Sequence, residues 1–257
     1  MSWLVTVFEQ CSDLRRRIMK RDSIVLGLLM ALQIQIAAPP VQANPAAGEQ
    51  SKNVFVLTAG EGRAHWMSPE HLPRSGWLAL FDDGKAMRIG RTKVVVLKSE
   101  GAGSYESVEV DSKPAGAQFL FHGVPGLRVG PVHLPEWVHD SGDPSSSWIV
   151  PGQTIEMRLG MNWYRLALKT SGPGYMDARL ILETKGRKQV LYALKGNGDE
   201  PHFSVYFIGD LDGDGKLDLI ATMSPKYSWS PMSVLLSSAA APGELVHEVA
   251  SYDDYSC

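Results

Sequence analysis

The apolar positions of this chain fall in short runs, punctuated by glycine, proline and aspartate, rather than in long amphipathic stretches. Arg165-Leu166-Ala167-Leu168-Lys169 and Arg179-Leu180-Ile181-Leu182-Glu183 set apolar residues between charges over a strand's length. That is the pattern of half-buried β-strands, whose successive side chains point to opposite faces. Strands are expected near Val54–Thr58, Trp77–Phe81, Lys93–Leu97, Gln118–Phe121, Thr154–Leu159 and Trp163–Lys169. Further ones are expected near Ala178–Glu183, Gln189–Leu194, Phe203–Ile208, Leu217–Thr222, Met232–Leu236 and Leu245–Ala250. No segment keeps a helical period for three turns. Phe81-Asp82-Asp83-Gly84-Lys85 and Thr184-Lys185-Gly186-Arg187 have the composition of hairpin turns. The expected fold is mainly β, with antiparallel sheets in a sandwich or small barrel-like arrangement.

Gly123–Gly152 is the least regular part, with Pro125, Pro131, Pro135, Pro144 and Pro151 among its residues. A structureless loop of that length is unusual inside one compact domain. It is therefore expected to join two β subdomains, at about 54–140 and 150–257.

The start of the chain follows different rules. Lys20 and Arg21 precede a short apolar core around Ile24–Leu32, which ends in Val41-Gln42-Ala43. A charged region, a short apolar region and a small-residue cleavage site make a secretory signal peptide. Residues 1–43 are thus expected to be removed, with 1–18 an over-extended start ahead of Met19, and 44–53 a flexible lead-in. The destination would be the periplasm or the exterior, with no transmembrane segment left after cleavage. Losing five basic and three acidic side chains takes the formal net charge from −3 to −5. That balance argues against nucleic acid or an anionic membrane surface as partner. Cys11 would leave with the signal, so no internal disulfide is available. Cys257 then either pairs between chains or stays a free thiol.

Candidate chemistry is concentrated in Phe203–Met223, FSVYFIGDLDGDGKLDLIATM. Asp210, Asp212, Asp214 and Asp218 occupy relative positions 1, 3, 5 and 9, with Gly215 at position 6. Four carboxylates in nine residues repel one another, and a hard divalent cation with oxygen ligands relieves that. Alternate residues of a tight loop converge on one point, and Lys216 at position 7 would add its backbone carbonyl. A helix–loop–helix calcium site needs a bidentate glutamate at position 12, where this chain has Ala221, and the flanks look like strands. The DxDxDGxxD pattern between strands resembles the calcium loop of FG-GAP/VCBS-type repeats. The resemblance covers about twenty residues in a single copy. It implies one bound Ca²⁺ on Asp210, Asp212, Asp214, Lys216 and Asp218, in an exported protein, but no propeller, which requires several blades.

Other constellations are sparser. His133, Glu136, His139 and Asp140 are close in sequence, but Pro135 rules out the continuous helix that would align them. No nucleophile elbow or phosphate loop occurs. Trp163-Tyr164 and Tyr227-Ser228-Trp229 are the aromatic candidates for stacking on a glycan. The competing reading is that they fill the core. Three roles follow: a calcium-stabilised β protein that binds or scaffolds, with a glycan or cell-envelope component as partner; a secreted carbohydrate-active or other hydrolytic enzyme; or a cell-surface assembly component joined through Cys257. No general base or nucleophile accompanies the aspartate loop, which favours a non-catalytic role.

Overall fold

The computed structural model describes residues 54–60, 64–65, 67–100, 107–142 and 147–255. The expected signal peptide, its lead-in and Cys257 lie outside them. Up to residue 132 the strands are β1 (Phe55–Thr58), β2 (Ala64–His65), β3 (Leu78–Asp82), β4 (Met87–Arg91), β5 (Lys93–Glu100), β6 (Ser107–Lys113), β7 (Ala117–His122) and β8 (Gly130–Val132). Beyond it come β9 (Glu136–Asp140), β10 (Thr154–Leu159), β11 (Asn162–Lys169), β12 (Arg179–Thr184), β13 (Arg187–Ala193), β14 (His202–Gly209), β15 (Asp218–Ser224), β16 (Trp229–Leu236) and β17 (His247–Tyr255). The single helical element among the described residues is a short 3₁₀ turn at Pro69–His71, and no helix there is long and apolar enough to cross a membrane.

The strands form antiparallel sheets, none closed into a barrel, in keeping with a β sandwich. Two sheets have five strands, ordered β1-β7-β3-β4-β8 and β13-β12-β11-β10-β9. A third has four, β14-β15-β16-β17, and a small one runs β2-β6-β5.

The four-stranded sheet organises the packing, because its neighbouring residues enter different cores. Phe207, Ile220, Val234 and Leu236 join Leu57, Trp77, Leu80, Leu120 and Phe121 in a first core. Ile208, Leu219, Ala221 and Leu235 join Met157, Leu166, Leu168, Leu180 and Leu182 in a second. A strand that serves two cores loses the alternation of buried and exposed positions. Accordingly every residue of β15 is buried, whereas β6 still alternates, with Val108, Val110 and Ser112 turned inward. At roughly 25 cal/mol per Å² of apolar area removed from water, a strand buried on both faces stabilises more per residue than one with a wet face.

Each expected strand overlaps an observed one, and β2, β4, β6, β8 and β9 are additional. The pattern hid them for physical reasons. β4 carries Gly90 and two arginines, β6 is mostly polar, and β8 contains Pro131. Proline is tolerated there because β8 is an edge strand, with no ladder partner on one side. Gly123–Gly152 therefore contains the edge strands of two different sheets, and the chain changes sheets between Val132 and Glu136. The first core draws on residues from both sides of this stretch.

Candidate metal centre

The aspartate loop connects β14 to β15, where Gly209 pairs with Asp218. Two leucines anchor it: Leu211 enters the first core and Leu217 the second. Holding both apolar side chains draws the aspartates between them out of water. Asp210, Asp212 and Asp218 are 2, 5 and 0% exposed. Gly209 is required by crowding, since a Cβ there would lie 2.6 Å from the His133 carbonyl oxygen and 2.8 Å from the Phe207 ring. Gly213 and Gly215 have φ of +81° and +80°, which side chains beyond glycine adopt at a cost. The loop is braced from outside by His133, whose backbone exchanges two hydrogen bonds with Asp210 (2.8 and 3.2 Å). Arg128 adds a bond from Nε to the Asp212 carbonyl at 2.9 Å.

Carboxylate oxygens of Asp210, Asp212 and Asp218 lie within 4.8 Å of one another. Asp210 accepts from the backbone N–H groups of Gly213, Asp214 and Gly215 at 2.7–3.0 Å. Asp218 accepts from those of Leu211 (2.7 Å), Asp212 (3.3 Å) and Ser237 (2.8 Å). Asp212 accepts from the Asp214 N–H at 3.2 Å and from the Ser238 hydroxyl. An ionised carboxylate offers about four acceptor positions, so Asp210 and Asp212 each retain at least one, while the Ser237 hydroxyl also acts on Asp218. Asp214 stands outside this group. Its carboxylate receives the Lys216 N–H (2.8 Å), the Lys216 ammonium (3.3 Å) and the Ser237 hydroxyl (2.9 Å). The rest of the Lys216 side chain is exposed.

Electrostatics decide what this arrangement can do. Among the described residues no lysine, arginine or histidine forms an ion pair with Asp210, Asp212 or Asp218. Burial pushes the Asp218 carboxyl up to about 7, opposed by the Ser237 amide bond, and the nearby Asp212 charge adds to the rise. Amide dipoles alone thus fail to hold the carboxylate fully ionised. Removing a charge from water without a counter-charge costs several kcal/mol. Three converging oxygen donors without a cationic side chain fit a metal ion, and an all-oxygen set is the kind that hard cations take. The buried cluster of Asp210, Asp212 and Asp218 can hold one.

The aromatic candidates do not gather. Tyr164 is turned into the second core, while Trp163, its neighbour on β11, faces outward at 45% exposure. Tyr227 is exposed, and Trp229 is partly buried with its Nε1 donating to Asp253 at 3.0 Å. A different aromatic cleft lies elsewhere. Trp137 and Trp148, each more than half exposed, line a cavity of about 250 Å³ with Tyr206, Asp140 and the buried Gln153. Glu136, His139 and Asp140 lie on β9, and among the described residues they form no metal-ligand cluster.

Sequence spacing revealed the four aspartates but not their partners. Ser237 and Ser238 are about twenty residues beyond the loop and Arg128 some eighty before it. No local pattern signals contacts made across strands. Comparison with protein-family models, with curated proteins and with solved structures gives no match.

Proposed function

We propose that this is an exported β protein whose Asp210–Asp218 loop binds Ca²⁺, and that its role is binding or scaffolding rather than catalysis. The observation that carries this reading is Asp218: a fully buried carboxylate beside two others, with amide donors but no cationic side chain. Calcium is favoured over Mg²⁺ because Mg²⁺ demands a smaller, near-octahedral shell and gives up water reluctantly. The DxDxDGxxD spacing and the flanking strands support the likeness to FG-GAP/VCBS-type loops. Asp214 and the Lys216 carbonyl would complete the shell when the ion is present. The ion would fasten β14 to β15 at the point where both cores meet, which is a structural task. Export rests on the charge and apolar pattern of residues 1–43.

The partner class we favour is a glycan of the cell envelope or its surroundings. Two half-exposed indoles lining one cleft, with a carboxylate and a carboxamide beside them, suit an apolar sugar face and its hydroxyl rim. Titration calorimetry, together with thermal melts in calcium and in EDTA, tests the metal. Identical melts and no heat at millimolar Ca²⁺ would overturn it. Tryptophan fluorescence across a glycan panel, in wild type and Trp148→Ala, tests the partner. An unchanged spectrum in every case would remove the glycan.

A further inference from the structure

A second concavity of about 670 Å³ opens beside the loop, within the range of small-ligand sites. One wall is the β12–β13 turn, where Thr184 pairs with Arg187 and Lys185 has φ of +46°. The other is the segment Ala240–Leu245, and Lys216 and Ser237 lie between the two. The far wall is fastened firmly. Gln189 Oε1 accepts from the Leu245 and Val246 amides at 2.6 and 3.0 Å, and its Nε2 donates to the Val246 carbonyl at 2.8 Å. Arg187 Nη2 donates to the Glu244 carbonyl at 2.6 Å, tying one wall to the other.

The charges lining this cleft do not balance. Lys185, Arg187 and Lys216 face a single acid, Glu244. That carboxylate is already engaged by the Ala241 amide (3.0 Å) and the His247 ring (2.9 Å). Lys216 contacts Asp214, but among the described residues no carboxylate pairs with Lys185 or Arg187. A guanidinium has five donors in a planar fork that matches a carboxylate or sulfate, and only one of Arg187's is used by the Glu244 carbonyl. We infer that this cleft binds an anionic ligand presenting a carboxylate or sulfate group, with Arg187 and Lys185 as its principal contacts. The inference goes beyond the metal reading and rests on it for one point: the Asp214 carboxylate is bonded to Lys216 and Ser237 of the cleft lining, and a cation in the loop offsets the charge on that side.

The test follows backbone amide shifts while sulfate or succinate replaces chloride at constant ionic strength, which holds general screening fixed. Neither probe chelates calcium strongly, so the titration is run both in calcium and in EDTA, separating the cleft's result from the loop's. Saturable shifts confined to residues 184–187 and 240–245 are expected with at least one probe. The probe that saturates distinguishes the tetrahedral group from the planar one. Arg187→Gln should weaken that binding about tenfold, the loss of one charge-assisted contact. Lys185→Glu, on an exposed turn that makes no wall-to-wall bond, should weaken it as well and covers the case in which Arg187→Gln disturbs the wall. Shifts that stay linear with both probes, or saturable shifts that neither substitution alters, would overturn the proposal.

Discussion

Two aspartate-bearing turns of this protein use the same local chemistry in opposite surroundings. In the β3–β4 turn, Asp82 and Asp83 accept the Gly84, Lys85 and Ala86 amides at 2.8–2.9 Å, and Gly84 supplies a φ of +79°. In the β14–β15 loop, Asp210 accepts the Gly213, Asp214 and Gly215 amides at nearly the same distances, with glycines at nearly the same φ. The first turn is exposed, and its amide bonds, from Ala86 foremost, hold the Asp83 carboxyl below the usual carboxylate range. The second is held inside by Leu211 and Leu217, and burial drives Asp218 the other way. Hydrogen-bonded aspartates make a turn in both places. Only where they are also denied water and a cationic partner do they call for an ion.

The largest separation of the two turns should come from removing an acid. In saturating calcium, Asp218→Ala leaves three amide donors without their acceptor and takes away a cation ligand, a loss of about 3–5 kcal/mol in denaturant unfolding. Asp83→Ala should move the unfolding curve far less, because the two exposed amides it frees turn to water. A small effect at Asp218 would mean that the two turns are equivalent after all.

Calcium itself is the next test. An ion bound by the native state alone, at about 100 times its Kd, adds roughly 2.7 kcal/mol. Thermal melts should rise accordingly in wild type and in Asp83→Ala, but not in Asp212→Ala or Asp218→Ala.

The pH response should have opposite signs in the two turns. A carboxyl raised in the native state binds more protons there than in the unfolded chain, so stability falls as pH climbs between the two values. With EDTA present, Asp218 should therefore cost stability on the order of 2 kcal/mol between about pH 5 and pH 8. Calcium should remove that slope, and so should Asp218→Asn. Asp83, whose carboxyl is lowered, contributes in the other direction, with stability lost as pH falls through the acid range. Guanidinium unfolding from about pH 3 to pH 8, with and without EDTA, measures both, Asp83 at the acid end and Asp218 at the neutral end.

How much of this could be read from residues alone differs between the two turns. Phe81-Asp82-Asp83-Gly84-Lys85 announces a hairpin completely, because everything it needs is local. The spacing of Asp210, Asp212, Asp214 and Asp218 announces a cation loop, but spacing is blind to burial. Nothing local says that Asp218 is shut off from water while Asp214 turns to Lys216 and Ser237 instead. The β class was legible from the short apolar runs. The polar strand β6 and the proline-bearing edge strand β8 were not, since their places are set by partners distant in sequence. Tyr164 shows the same limit: beside Trp163 it looks like a surface aromatic, and the strand's alternation turns it inward.

The smallest contrast lies in the glycines. Gly84→Ala and Gly215→Ala both place a Cβ in open space at positive φ, so each should cost about 1 kcal/mol through backbone strain alone. Only Gly215→Ala should also weaken calcium binding in calorimetry, because the Gly215 amide holds Asp210 in place.

The doubly buried strand β15 has a consequence for how the chain finds its fold. In β6, a slip of one residue would put Glu109 and Asp111 where Val108 and Val110 belong, and burial would reject it. β15 is buried whichever way it is turned, so that safeguard is weak for it. The Asp218 carboxylate supplies the missing check. It reaches the Leu211 and Asp212 amides on the β14 side and the Ser237 amide beyond β16 only when Gly209 lies opposite it. The loop thus acts as an index mark for the middle sheet, and misaligned, aggregation-prone chains should accumulate on refolding when that mark is erased.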